Sequence, residues 1–186
     1  MDTNSDKRKH YGASKKDAKF IAAITKSGFE EGKTLYFDEY EPAGATTPED
    51  GADGHTGRVF HAHGHTMQDV FKARYGGFER IPDCVIFPED EAMVEAAVGA
   101  AKAQSNVVLI PFGGGTTVSG AVNCPSQEEE SRMIVVVDMR RMTRITIDRE
   151  NMCAEVEAGT MGTDMDERLA RHIRIPAVDS FSNLCC

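Results

Sequence analysis

No run of apolar residues in this sequence approaches the roughly 18 that a membrane-crossing helix requires. The first ten residues, Met1 to His10, are polar and charged and lack the apolar core of a secretory leader, so no such leader is expected. Cysteine is sparse. The five residues Cys84, Cys124, Cys153, Cys185 and Cys186 are odd in number and contain no C-x-x-C pair. That pattern excludes a zinc ribbon and predicts reduced thiols in a reducing compartment, with Cys185-Cys186 in an unstructured tail. Positive charge is also short: 21 Lys and Arg face 30 Asp and Glu, a net charge of −9. A surface of that sign repels phosphate backbones, which argues against a general nucleic-acid binder and against charge-driven docking on anionic membranes.

What is present is an ordinary globular composition, 40% hydrophobic and 27% charged over 186 residues. A chain of this size buries roughly 70% of its unfolded surface, so it can form a core without staples. Residues 1–57 read as a weakly ordered N-terminal region, with a short helix over Asp17–Ile24 and a Gly/Pro-rich linker from Glu41 to Gly57. Residues 58–79 read as a helical lead-in, with Thr66 capping a helix that Gly76-Gly77 ends.

From Arg80 onward the pattern is mixed. Asp83–Phe87 is a short buried strand stopped by Pro88. Glu89–Gln104 is a helix with acidic residues in its first turn, an apolar face of Met93, Val94, Ala97, Val98 and Ala101, and Asn106 as its stop. Val107–Ile110 is a second strand, closed by Pro111. This strand–helix–strand unit predicts parallel strands. Met133–Val137 is a further buried strand ended by Asp138. Arg144–Asp148 and Cys153–Glu157 alternate with period two as a hairpin, and Thr163 caps a helix over Asp164–His172. Glu128-Glu129-Glu130 reads as an exposed acidic patch. The fold class is α+β.

The segment Pro111-Phe112-Gly113-Gly114-Gly115-Thr116-Thr117-Val118-Ser119 carries the chemistry. It follows a buried strand directly. Three successive glycines permit positive φ and bring bare amides close to a ligand. Amides curling one way form a nest for an anion such as a pyrophosphate, and Thr116, Thr117 and Ser119 add hydroxyls. No Gly-Lys-Ser/Thr follows, so this is not a P-loop. Val118 stands where G-x-G-x-x-G needs its third glycine, and Ser119 lacks the glycine of a nucleophile elbow. The β-branched run after Gly115 starts a helix poorly, so loop amides rather than a helix dipole would hold the anion.

Two other groups are weaker. His61, His63 and His65 would share one face of an extended strand, a spacing that suits a metal. No Cys or carboxylate completes the set, and they are read as surface or packing groups beside Gly64. Asp164 and Asp166 lie two apart on a helix, do not face each other and are read as complementing its N-terminus.

The stretch from Arg58 to Ala170 resembles the first half of an FAD-binding domain of the vanillyl-alcohol-oxidase (PCMH) type. The matching residues are Ile81-Pro82-Asp83, Val107–Pro111 running into Gly-Gly-Gly-Thr, and Val156-Glu157-Ala158-Gly159. Within that superfamily it is most similar to the alkyldihydroxyacetonephosphate synthase (alkylglycerone-phosphate synthase) family. That likeness rests on Arg58-Val59-Phe60, Ala62-His63-Gly64-His65, Phe78-Glu79-Arg80-Ile81-Pro82-Asp83 and Cys124-Pro125. The resemblance makes residues 80–186 an incomplete FAD-binding domain. It implies FAD, held at its pyrophosphate by Pro111, Phe112, Gly113, Gly114, Gly115, Thr116, Thr117, Val118 and Ser119, with Gly159-Thr160 as a further contact.

The resemblance also implies exchange of the acyl chain of acyl-dihydroxyacetone phosphate for a fatty alcohol in ether-lipid synthesis. The flavin there holds the substrate carbon covalently rather than carrying net redox. A peroxisomal or glycosomal location and a homodimer follow from the same resemblance. Where the family continues with Gly-His-Glu-Pro-Asp-Ser, this chain retains only Asp179-Ser180, and the cap domain with its Tyr and His residues does not follow. The chain is therefore expected to be a truncated, inactive piece, with no catalytic residue assigned and no metal site. Two alternatives stand beside this reading: a fragment of an FAD-dependent 2-hydroxy-acid oxidoreductase, and a non-catalytic phosphate- or nucleotide-binding module.

Overall fold

The computed structural model describes residues 17–31, 33–36, 55–75 and 77–172. The tail cysteines and the linker up to Gly54 lie outside these residues. In chain order the elements are α1 (Asp17–Thr25), β1 (Leu35–Tyr36), α2 (His55–Phe60), α3 (Met67–Tyr75), β2 (Cys84–Ile86), α4 (Glu91–Gln104), β3 (Val107–Phe112) and β4 (Met133–Asp138). A 3-10 turn over Met139–Arg141 follows. The hairpin β5 (Ile145–Asp148) and β6 (Cys153–Val156) and the helix α5 (Gly162–His172) complete the series. The architecture is α+β.

The main sheet runs β1-β2-β4-β3. β2 and β3 both lie parallel to β4, so the strand–helix–strand unit spans two strands that are not neighbours, with β4 inserted between them. β4 is buried at every position. A central parallel strand is covered on both faces, which is why Met133–Asp138 is an unbroken apolar run ending in one charge.

Alternation along the strands splits the core in two. Cys84, Ile86, Met133, Val135 and Val137 face Phe20 and Ile24 of α1 and Ala97 and Ala101 of α4, with Phe29, Leu35 and Val107 alongside. Val85, Phe87, Ile134 and Val136 face the other way, onto Ile110, Phe112 and Val122. The reading of residues 1–57 as weakly ordered is corrected for the part described. Phe20, Ile24, Phe29 and Leu35 are fully or almost fully buried, and β1 pairs antiparallel with β2. The polar sequence around these residues obscured an apolar set that meets only in three dimensions.

Smaller expectations change as well. Asp90, not Glu89, opens α4, accepting from the Met93 amide at 2.8 Å. Ser105, at φ 50°, closes that helix in place of Asn106. Val98 is half exposed, because the stripe meeting the sheet is the narrower set Met93, Ala97, Ala100 and Ala101. β3 continues through Pro111. Among the described residues β3 is an edge strand, and there a proline's missing N–H leaves no ladder bond unmade. α5 begins at Gly162, so Thr163 lies inside its first turn. In the acidic patch, Glu130 is paired with Arg132, whose hydrogen bonds pull the Glu130 carboxyl down to about 2.

Candidate functional site: the glycine bend and its surroundings

β3 ends at Phe112, whose Cα partner on β4 is Asp138. The bend that follows therefore leaves the sheet at the C-terminal edge of two parallel strands, the end at which open parallel sheets bind ligands. No helix forms between Gly113 and Asn123. Of the three consecutive glycines, which all permit positive φ, only Gly115 uses it, at +69°.

Gly115 and Gly113 differ in their surroundings. A Cβ on Gly115 would come within 2.6 Å of the Phe112 ring, which lies folded under the bend. A Cβ on Gly113 would meet nothing within 4 Å. The space above Gly113 is therefore open. Among the described residues no oxygen accepts from the amides of Gly113, Gly114, Gly115 or Thr116. Unengaged amides over open space fit a bound anion, since a buried or half-buried N–H otherwise finds a partner within the protein. The hydroxyls are less free: Thr117 Oγ1 lies 2.9 Å from Ser119 Oγ and accepts from the Ser119 amide at 3.2 Å.

The histidine reading is resolved by geometry. His61, His63 and His65 do not share a strand face; they follow α2 in a turn. His61 is 4% exposed, and its Nδ1 donates to the Gly57 carbonyl at 2.7 Å. Its Nε2 faces Asp138 Oδ2 at 2.7 Å. His63 stacks flat on Phe78 with centroids 4.7 Å apart. Among the described residues no group of three His, Cys, Asp or Glu is placed to hold a metal ion.

Asp138 is the buried charge that sequence reasoning took only as a strand end. It is 0% exposed and receives His61, the Arg140 amide at 2.9 Å and the Arg140 guanidinium at 2.6 Å. Burial pushes its carboxyl upward, but the hydrogen bonds from His61 and Arg140 outweigh that and hold it below 3.8. The Arg140 guanidinium lies over the Phe60 ring at 5.3 Å. The signal available in the sequence was a lone charge ending a buried apolar run; its register opposite Phe112 appears only in the structure.

The Phe78–Asp83 motif is structural. Arg80 is buried and donates to the carbonyls of Arg132, at 2.6 Å, and Glu130, and to Asp83 at 3.2 Å. Asp83 in turn accepts from the Ile134 amide at 2.7 Å. Pro82 presents its carbonyl to Arg58 at 3.3 Å. The motif thus fixes where β4 begins. Gly159 fits closely against the Met139 carbonyl, and its amide donates to the Met142 carbonyl at 2.9 Å, so this glycine serves packing against the 3-10 turn. Asp164 and Asp166 both sit in α5, two positions apart.

Residues 82–185 match the family described as the FAD binding domain. The chain belongs to that family. The cofactor of this family is FAD, and a parallel-sheet edge carrying a bend of unengaged amides is consistent with it. Curated relatives give a finer likeness. The chain is 40% identical over 116 residues to an alkyldihydroxyacetonephosphate synthase of Trypanosoma brucei brucei, covering 62% of this chain and 19% of the relative. It is 35% identical over 113 residues to the enzyme of the same name from Caenorhabditis elegans, covering 60% and 18%.

Among solved structures, an alkyldihydroxyacetonephosphate synthase matches with a TM-score of 0.67 at 29% identity, over 83% of this chain and 25% of that one. A berberine bridge enzyme variant matches with a TM-score of 0.58 at 13% identity, over 84% and 26%, which speaks to the fold alone. The FAD-binding domain is thus homologous to that of the synthases, and the chain spans about a fifth of the length of the curated relatives it matches.

Proposed function

We propose that the bend Pro111–Ser119 cradles the FAD pyrophosphate and that this chain is the diphosphate-holding part of an alkyldihydroxyacetonephosphate synthase. The observation that carries the reading is the bend itself: the amides of Gly113 to Thr116 lack acceptors among the described residues, and open space lies over Gly113. The chain's own contribution is binding. Gly113, Gly114, Gly115 and Thr116 would present N–H donors, with the exposed Thr116 and the half-buried Thr117 beside them. Pro111 and Phe112 set the direction in which the bend leaves β3, while Val118 and Ser119 close it. FAD, when bound, supplies the reacting flavin ring at which the substrate is held.

The activity of the relatives, extended to this protein, exchanges the acyl group of acyl-dihydroxyacetone phosphate for a fatty alcohol. The carbon–oxygen bond to the departing acid breaks and a carbon–oxygen ether bond forms, with no net oxidation. A homodimer and a peroxisomal or glycosomal location belong to the same proposal and rest on the resemblance alone. The domain division into 1–57, 58–79 and 80–186 also stands as a proposal, with the addition that α1 and β1 pack onto the third part.

The test is direct. The purified chain should take up FAD and show flavin absorbance. Gly113→Val should abolish uptake while leaving the melting temperature nearly unchanged, because a Cβ at that position meets nothing within 4 Å. A colourless wild-type chain, or a Gly113→Val variant that stays yellow, would sink the reading.

A further inference from the structure

The His61–His65 turn has no role in the cradle as described, yet both ends of the glycine bend rest on it. Below the bend, the Phe112 ring fills the place a Gly115 side chain would need. His61 packs on that ring with centroids 4.7 Å apart, and is itself held by the Gly57 carbonyl and by Asp138. At the far end, the His65 amide donates to the Thr117 carbonyl at 2.8 Å. Gly64 lies so close to that carbonyl that a Cβ would overlap it.

Asn123 locks the arrangement. Its Oδ1 accepts from the Gly64 amide at 3.1 Å and its Nδ2 donates to Asp69 Oδ1 at 3.1 Å. The other Asp69 oxygen accepts from the Thr66 amide, while Thr66 Oγ1 accepts from the Asp69 amide, the reciprocal cap of α3. The Cys124 amide donates to the Ala62 carbonyl at 3.2 Å. Residues 62–69 are thereby tied to residues 117–124 by backbone and side-chain bonds, and the stretch between Phe112 and Thr117 hangs between two fixed points.

A triple glycine needs such help. It loses more backbone freedom on ordering than any other three residues, and a ligand that must order it binds more weakly by that amount. We propose that the His61–His65 turn, fastened by Asn123 and Asp69, is a positioning device that sets the amides of the glycine bend before the diphosphate arrives. The proposal rests on the pyrophosphate reading. Asn123 and His61 are positioning residues; neither touches the cofactor in this account.

The full 186-residue chain with Asn123→Ala, and separately Gly64→Ala, provides the test. Asn123 is exposed, so its loss leaves the core intact. In the FAD-free chain, the His65 amide should exchange about tenfold faster in Asn123→Ala, while the Val136 amide in β4 keeps its protection. FAD affinity, followed by flavin fluorescence, should fall about tenfold, the effect of one well-made hydrogen bond. The double variant should lose less than the sum of the two, since both break one device. Unchanged His65 exchange, or FAD affinity within about twofold of wild type in Asn123→Ala, overturns the proposal. A wild-type chain that takes up no FAD overturns the cofactor reading instead, and the two failures are separable because the exchange measurement uses no ligand.

Discussion

The two faces of the main sheet are held in different ways. On the face covered by α1 and α4, the contacts are apolar throughout: Phe20, Ile24, Ala97 and Ala101 against Cys84, Ile86, Val135 and Val137. On the other face a smaller apolar set, Val85, Phe87, Ile110, Phe112, Val122, Ile134 and Val136, is joined by buried His61 and Asp138. Apolar burial is strong but non-directional; it holds layers together without fixing the angle of a loop. Hydrogen bonds to a buried carboxylate fix angles and cost heavily when half removed. The first face supplies stability and the second supplies geometry, and the glycine bend is on the second.

Breaking each face should give different signatures. Phe20→Ala removes a fully buried ring from the helix-covered side and should cost about 3–5 kcal/mol in urea unfolding. The fraction that remains folded should bind FAD with wild-type affinity. Asp138→Asn should cost about 3 kcal/mol, because it leaves His61 and Arg140 facing a group that no longer balances them. It should also weaken FAD binding, through His61 and Phe112. Equal affinity losses in the two variants would erase the distinction between the faces.

Acid sharpens the same contrast. The folded Asp138 carboxyl titrates below its ordinary value of 3.8. A depressed folded value means the stabilisation is complete above the unfolded value and is lost as pH falls through the folded one. Wild-type stability should therefore drop below about pH 4, and Asp138→Asn should show a shallower drop in melting temperature over that range. Phe20→Ala should keep the wild-type slope.

Most of the secondary structure was legible in the sequence because it is periodic. Glu91–Gln104, the strands Val107–Phe112 and Met133–Asp138, and the hairpin Ile145–Val156 follow from runs and alternation. The bend was legible because three glycines after a buried strand have few uses. The packing partners were not. Phe20, Ile24, Phe29 and Leu35 belong to the core through contacts with distant stretches of the chain, as Leu35 does with Ile86, which no local pattern carries. Asp138 and His61 are 77 residues apart. Asn123 and Asp69 are 54 apart. The histidine turn was rightly read as packing groups rather than a metal site, but its partners Phe112 and Phe78 were hidden, because alternation at period two was its only local feature and the helix that precedes it, His55–Phe60, is too short to impose a period.

The smallest expected effect belongs to an ion pair that joins the 3-10 turn to the start of α4. Arg141 Nη1 lies 3.0 Å from Glu89 Oε1, with the Glu89 side chain 51% exposed. An exposed pair of this kind contributes roughly 0.2–1 kcal/mol and is screened by salt. Glu89→Gln should therefore shift the unfolding free energy by less than about 1 kcal/mol and leave FAD binding unchanged. The Arg141 guanidinium also lies over Phe87 at 5.4 Å, a contact that survives the substitution. The same carboxylate-to-amide change at Asp138 is expected to cost several times more, although both carboxylates meet an arginine. The difference is water: at Glu89 solvent replaces the lost partner, and at Asp138 nothing does.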